Sequence, residues 1–485
     1  MTKPGATDSK KAGAASAAEK AKASAPKKPK FTVRTSHGLA KFSPDGQLAA
    51  FASGTGVVVV RVPTIERGTG NEAGGFKVEC RFSCVDTVES IDWSADSLLV
   101  VCAQYKRALV QVFSVQDRTF TCRVSEGVGG LVHAALAPDG RHLVTIADFQ
   151  LHLSVWSLVD ETQRIFMNPK LPTTQGCRFS ADGEFMAVAH RRECKDSVAV
   201  YSTSKGRWAK LQHFTVASTD LEEIVWSADN DAIIVRDCPI EYRLLVYNPA
   251  DGSLLARYSA YEHALGIKTI AYSNASKFAA VGSFDNVCRV LNTMTWRPIA
   301  ECEHPNSIVL RNSGIRWISQ RAADQTDQAQ TPALTGNNAN HSSTGVHKFV
   351  VVKPDMKKPL PKSGIGLIAW SFDGQFLATR DDQKPFVIWI WKMDMLSPFA
   401  VLELSSRVNS FKWDPCQIRL AIASGDACAY MWTPQCENEL IQAHAWSPDP
   451  SDPVPSEGVL GIKWSSAGDT LLLLSKTQTA FALVN

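Results

Sequence analysis

The sequence predicts an all-β repeat protein, a β-propeller, and three observations point there. One small turn recurs along the chain. Each copy is followed by short apolar runs of strand length. No stretch sustains the period of an amphipathic helix. The turn reads "KFSPDG" at 41–46, "DWSADS" at 92–97, "ALAPDG" at 135–140, "RFSADG" at 178–183 and "VWSADN" at 225–230. It continues as "AYSNAS" at 271–276, "AWSFDG" at 369–374, "KWDPCQ" at 412–417 and "KWSSAGD" at 463–469. Its small residue falls at Ser43, Ser94, Ala137, Ser180, Ser227, Ser273, Ser371, Asp414 and Ser465, in steps of 51, 43, 43, 47, 46, 98, 43 and 51 residues. Steps of this size match the period of a four-stranded blade, about 40–45 residues.

The turn has a mechanism. Proline fixes φ, aspartate binds its own backbone, and glycine accepts positive φ, which together link two antiparallel strands tightly. The second strand of each unit follows, as in "QLAAFAS" (47–53), "RHLVTIA" (141–147) and "QFLATR" (375–380). A third strand ends in an aromatic or apolar residue, as in "LHLSVWSL" (151–158), "VIWIWK" (387–392) and "CAYMWT" (428–433). Trp156, Trp389, Trp391 and Trp432 lie on these third strands and read as core. Nine units are visible, which suits one ring of about nine four-stranded blades. Seven blades with extra units, or two smaller propellers, fit the same count.

The last unit stops after "LLLLSKTQTAFALVN" and lacks a fourth strand, while "FTVRTSH" (31–37) is strand-like and precedes the first unit. This N-terminal segment is expected to complete the last blade, because closure removes exposed sheet edges. The step of 98 residues spans a segment, 311–362, whose middle is rich in Gln, Asn, Ser and Thr. It reads as a flexible insertion between blades six and seven, with a cryptic tenth unit as the competing reading. "AWSPDP" (445–450) fits the turn pattern but lies only 18 residues before "KWSSAGD", so 447–458 reads as a Pro-rich loop. The propeller is expected over 31–485.

Net charge is +3, yet residues 1–30 hold eight Lys and two acids, leaving the remainder near −3. This Lys-, Ala- and Ser-rich tail is expected to be disordered, either a solvated arm or a contact for an acidic polymer. No apolar run approaches membrane-spanning length, and twelve cysteines scattered through strands suit a reducing compartment. Phosphate-binding, metalloprotease and nucleophile-elbow motifs are missing. Asp148, Asp196, Asp237, Asp285, Asp382 and Asp426 fall between second and third strands and read as turn formers. No catalysis, cofactor, metal or small-molecule substrate is expected.

A propeller acts through its loops. The loops between second and third strands share one face with the blade-to-blade loops. Tyr105, Lys106, Arg107, Arg191, Arg192, Lys195, Tyr258, Tyr261, His263 and Arg380 are expected to ring that mouth as a partner-binding face.

The blocks "IDWSADSLLVVCAQYKRALVQVFSV", "RRECKDSVAVY", "YSAYEHALGIKTIAYS", "SFDNVCRVLNTMTW", "GIGLIAWSFDGQFLATRDD" and "SPFAVLELSSRVNSFKWDP" resemble the WD-repeat protein eight family, encoded antisense to the tumour protein p73 gene. The resemblance covers about 36–485, apart from the Lys-rich tail and much of 311–362. It implies a WD40-type β-propeller and a non-catalytic scaffold of the centrosome, spindle pole or basal body. Such a scaffold anchors microtubule minus ends with a coiled-coil partner, works in fungi with a minus-end-directed kinesin, and supports cilium assembly in animals. Its implied place is the cytoplasm and cytoskeleton, away from membranes. The residues alone also allow an RNA- or ribosome-associated propeller, since the tail is basic.

Overall fold

Each copy of the turn motif lies in one sheet of four or five strands, and nine such sheets follow one another among the described residues. The computed structural model describes residues 31–34, 39–65, 72–73, 76–274, 277–309, 315–319, 346–355, 357–358, 360–426, 428–435, 441–445 and 458–484. The basic tail and most of the Pro-rich loop lie outside these residues. Blade one pairs Ala40–Phe42, Leu48–Ser53, Gly56–Arg61 and Lys77–Ser83 in sequence order. Blades two to six span 90–125, 133–167, 177–215, 223–258 and 267–303. Blades seven and eight span 365–403 and 410–445.

The turn is wired as its chemistry demands. In blade one Ser43 Oγ donates to Asp45 Oδ1 at 2.5 Å and accepts the Leu48 N–H at 3.0 Å. Gly46 takes φ +73° and returns its N–H to the Ser43 carbonyl at 2.9 Å. The same Ser–Asp bond recurs at Ser94–Asp96, Ser180–Asp182, Ser371–Asp373 and Ser465–Asp469.

The tryptophan that precedes five of the turns has a second task. The indole N–H of Trp226 donates to the Arg178 carbonyl at 3.0 Å, crossing from blade five to blade four. Trp93, Trp370, Trp413 and Trp464 do the same, reaching the carbonyls of Lys41, Ala271, Ala369 and Lys412 at 3.0–3.1 Å. The phenylalanine that opens a second strand stacks on the next blade's tryptophan. Phe185–Trp226, Phe278–Trp370 and Phe376–Trp413 have ring centroids 6.1–6.3 Å apart and planes within 28°. The core therefore lies between blades, and each apolar cluster joins two neighbouring sheets.

Closure follows the expected route. Phe31–Arg34 pairs antiparallel with Gln478–Leu483, Phe31 opposite Phe481, and becomes the fourth strand of blade nine. Lys463 Nζ then reaches across to the Ala40 carbonyl of blade one at 2.9 Å. One expectation needs correction. The segment 311–362 is not loop alone, because Arg316–Ser319 adds a fifth strand, parallel to Ser397–Glu403, on the outer edge of blade seven. Val346–Lys348 pairs with Ser307–Val309. No tenth blade forms among the described residues. Alternation was masked here because two isolated short strands carry no repeat signal.

Candidate functional site

The loops between second and third strands and those between blades rim one face, as the topology requires, but the candidate residues on it divide into three kinds. In blade two Tyr105–Arg107 forms a single 3-10 turn. Arg107 Nε lies 2.8 Å from Asp86, which holds that carboxyl below the usual carboxylate range, and Lys106 stands 3.5 Å from Glu89. Tyr105 is half-buried, and burial pushes its phenol up. These side chains fasten the blade-two loops and leave Lys106 reaching into solvent.

The block "YSAYEHALG" is mostly internal scaffolding. Tyr258 is buried edge-on to Tyr242, with centroids 5.9 Å apart. Tyr261 packs on Tyr242 at 4.7 Å and donates its hydroxyl to the Leu265 carbonyl at 2.6 Å. Arg289 lies over both Tyr242 and Tyr261 at 5.7–5.8 Å and pairs with Asp285 at 2.8 Å. Burial raises the phenols of Tyr258 and Tyr261. A Cβ on Gly266 would stand 2.6 Å from the Glu241 carbonyl oxygen, so only glycine lets this loop seat against Tyr242. His263 remains exposed at φ +63°.

Two expected surface residues are thus corrected. Tyr258 ends an outer strand with its ring turned into the blade interface. Arg380 sits on the second strand of blade seven, where its guanidinium donates to the Val408 carbonyl and to Asp382 below the loop. It is 7% exposed and available to no partner. Burial of Asp382 would raise its carboxyl, but Lys268 and Arg380 outweigh this and hold it low. Of the aspartates read as turn formers, Asp237 and Asp285 behave accordingly, whereas Asp196 and Asp382 are held in ion pairs. Asp237 accepts the Thr219 and Asp220 N–H groups at 3.0 and 2.9 Å, and Asp285 accepts from Ser283 Oγ at 2.7 Å.

Blade four keeps its cations on the surface. Its second and third strands, Phe185–Arg192 and Lys195–Ser202, meet in a two-residue turn with Glu193 and Cys194 at φ +51° and +61°. Buried Lys170 binds Asp196 at 2.7 Å and Asp220 at 2.6 Å, and Arg191 joins Asp220. Lys170 and Arg191 together hold the Asp220 carboxyl low. Arg191 is therefore neutralised. Arg192 is 84% exposed, and its nearest carboxylate, Glu193 at 3.8 Å, is equally exposed, so the pair contributes little. Lys195 and Lys210 are exposed as well. These groups line a cleft of about 560 Å³ between blades three and four, with Met167 on its far wall.

Sequence reasoning missed the apolar side of this rim. Phe149 is 81% exposed in the blade-three loop, Val128 is fully exposed in the neighbouring loop, and Leu151 and Met167 are 50% and 60% exposed. The signal lay in "GVGG" and "DFQL", where a large apolar residue stands among turn formers.

No family model matches the chain. It is 36% identical over 455 residues to the WD repeat-containing protein WRAP73 of Mus musculus, covering 90% of this chain and 92% of that protein. It is 21% identical over 283 residues to an uncharacterized WD repeat-containing protein of Schizosaccharomyces pombe, covering 58% of this chain and 54% of the other. The crystal structure of the C-terminal WD40 domain of Sif2 superposes with a TM-score of 0.50 at 10% identity, over 95% of this chain and 100% of that one, a likeness of fold alone. Extended similarity across nearly the whole of both sequences, on a WD40-type propeller, places the chain in the family of WD repeat-containing protein WRAP73.

Proposed function

We propose that this chain is a non-catalytic scaffold of the centrosome or spindle pole that anchors microtubule minus ends together with a coiled-coil protein. Where cilia are built, the same scaffold serves their basal bodies. A minus-end-directed kinesin and the microtubule itself are the further partners of this reading, and its place is the cytoplasm and cytoskeleton. The observation that supports it is family membership over nine-tenths of both sequences. The exposed rim of blades two to four supports a protein-binding role, since Lys106, Arg192 and Lys195 all project into solvent there, Arg192 beside only the equally exposed Glu193.

The test is imaging of the tagged full chain in dividing cells, with cross-linked partners identified by mass spectrometry. The expected result is a focus at each spindle pole through mitosis and a coiled-coil pole protein among the partners. A diffuse signal with ribosomal proteins as the main partners would overturn the reading in favour of the RNA-associated one.

A further inference from the structure

We infer that the shoulder formed by blades three and four is a docking site for an acidic peptide segment that carries apolar side chains. The inference deepens the scaffold reading, on which it rests, by assigning the position and chemistry of the contact. Two surfaces meet there. The first is the cleft, whose walls present Arg192, Lys195, Lys210 and His213. Among the described residues lining it, Glu193 is the one carboxylate. The acids beneath, Asp196 and Asp220, are already bound by Lys170 and Arg191, so they do not neutralise the outer cations.

The second surface is apolar and continuous with the first. The Asn168 N–H donates to the Leu151 carbonyl at 3.2 Å, and His190 Nδ1 lies 3.1 Å from the Met167 carbonyl. Leu151, Met167 and the basic hairpin therefore follow one another without a gap. Phe149 extends the strip upward. It and Gln150 both take φ +53°, a left-handed conformation that costs a phenylalanine free energy, and packing does not repay it because the ring is in water. The loop is held there by Asp148, whose carboxylate accepts the Phe149 N–H at 2.8 Å. An exposed aromatic in a strained, pinned turn is spent on something outside the chain. Exposed apolar residues rimmed by charge mark binding surfaces.

The occupant follows from complementarity. An excess of solvated cations over carboxylates calls for carboxylates or phosphates, while Leu151 and Met167 call for aliphatic or aromatic partners. A nucleic-acid strand would use the cations and one ring, but would leave the aliphatic wall wet. An acidic segment with apolar residues satisfies both walls.

The experiment titrates the full chain into a fluorescent synthetic peptide of glutamates with interspersed leucines. A lysine-for-glutamate version and a uridine oligonucleotide serve as comparators. Binding of the glutamate–leucine peptide, weakened by salt, is expected, with no binding of the lysine version. Combined Arg192→Glu, Lys195→Glu and Lys210→Glu, all at exposed positions, should weaken it at least about tenfold. Phe149→Gly suits the positive φ, so it should weaken binding several-fold while leaving the melting temperature equal or higher. The proposal is overturned if the wild-type chain ignores the glutamate–leucine peptide, if either variant binds it unchanged, or if the oligonucleotide binds more tightly. Failure of the scaffold reading shows separately, as a wild-type chain absent from spindle poles whatever the peptide does.

Discussion

Tryptophan 413 shows how single residues carry this fold. Its indole N–H reaches a carbonyl of the preceding blade, and its face stacks on Phe376. Trp413→Phe keeps the stacking and removes the indole donor to the Ala369 carbonyl, which lies opposite Ala378 in the blade-seven sheet. We expect a loss of about 1–2 kcal/mol in urea unfolding. Trp464→Phe should cost less, because its bond to Lys412 lies at an exposed edge where water can substitute. His304 makes a different prediction. It is buried, accepts or donates at Thr379 Oγ1 at 2.7 Å, and rests edge-on to Trp389 and Trp391. Burial first, and Lys384 second, pull its pKa down to about 3. The unfolded histidine titrates near 6.5, so the unfolded chain binds the extra proton between those values. The stability from neutral His304 is complete above about pH 6.5 and is lost as pH falls toward about 3. Denaturant midpoints measured from pH 7 to pH 4.5 should fall, and His304→Gln should flatten that slope. Such burial is invisible in sequence. The "Tyr-Ser-Ala-Tyr" block looked like a surface cluster for the same reason. Nothing local says that Tyr258 turns toward Tyr242 while His263 turns outward.

At the scale of strands, the parts that sequence revealed are those whose chemistry is local. Ser43, Asp45 and Gly46 specify their turn without help from elsewhere, so the repeated motif counted the blades. The missing fourth strand of the last unit foretold the pairing of Phe31–Arg34 with Gln478–Leu483. A chain beginning at residue 31 should therefore melt as the full chain does. One beginning at residue 35 should bare the edge of Gln478–Leu483, melt lower and aggregate on size exclusion. The strand Arg316–Ser319 was not legible because its partner, Ser397–Glu403, lies about 80 residues away and pairs in parallel. Its anchor is Arg316, which donates to the Pro434 carbonyl at 2.6 Å and lies 4.8 Å over Phe399. Arg316→Ala should loosen this strand at a cost of about 1 kcal/mol, read by hydrogen exchange of blade seven's outer edge.

Across the whole molecule, nine blades give a rigid ring whose specificity resides in what its loops leave uncovered. The residues of the candidate face, inferred from tyrosines and arginines, divide between the interior and the surface. The ring absorbs Tyr258, Arg380 and most of Tyr261 into its own cohesion and leaves Arg192 and Lys195 to solvent, beside an apolar strip that the composition of the loops did not advertise. On the proposed reading, this shoulder receives an acidic segment of a spindle-pole protein. Carbodiimide joins lysine amines to carboxylates only when they touch, so it tests the claim at the residues that carry it. Applied to the chain isolated with its partners from dividing cells, it should link Lys195 and Lys210 to glutamates or aspartates of one coiled-coil protein. Links confined to lysines of the opposite, turn-bearing face, such as Lys412, with Lys195 and Lys210 unmodified by any partner, would contradict it.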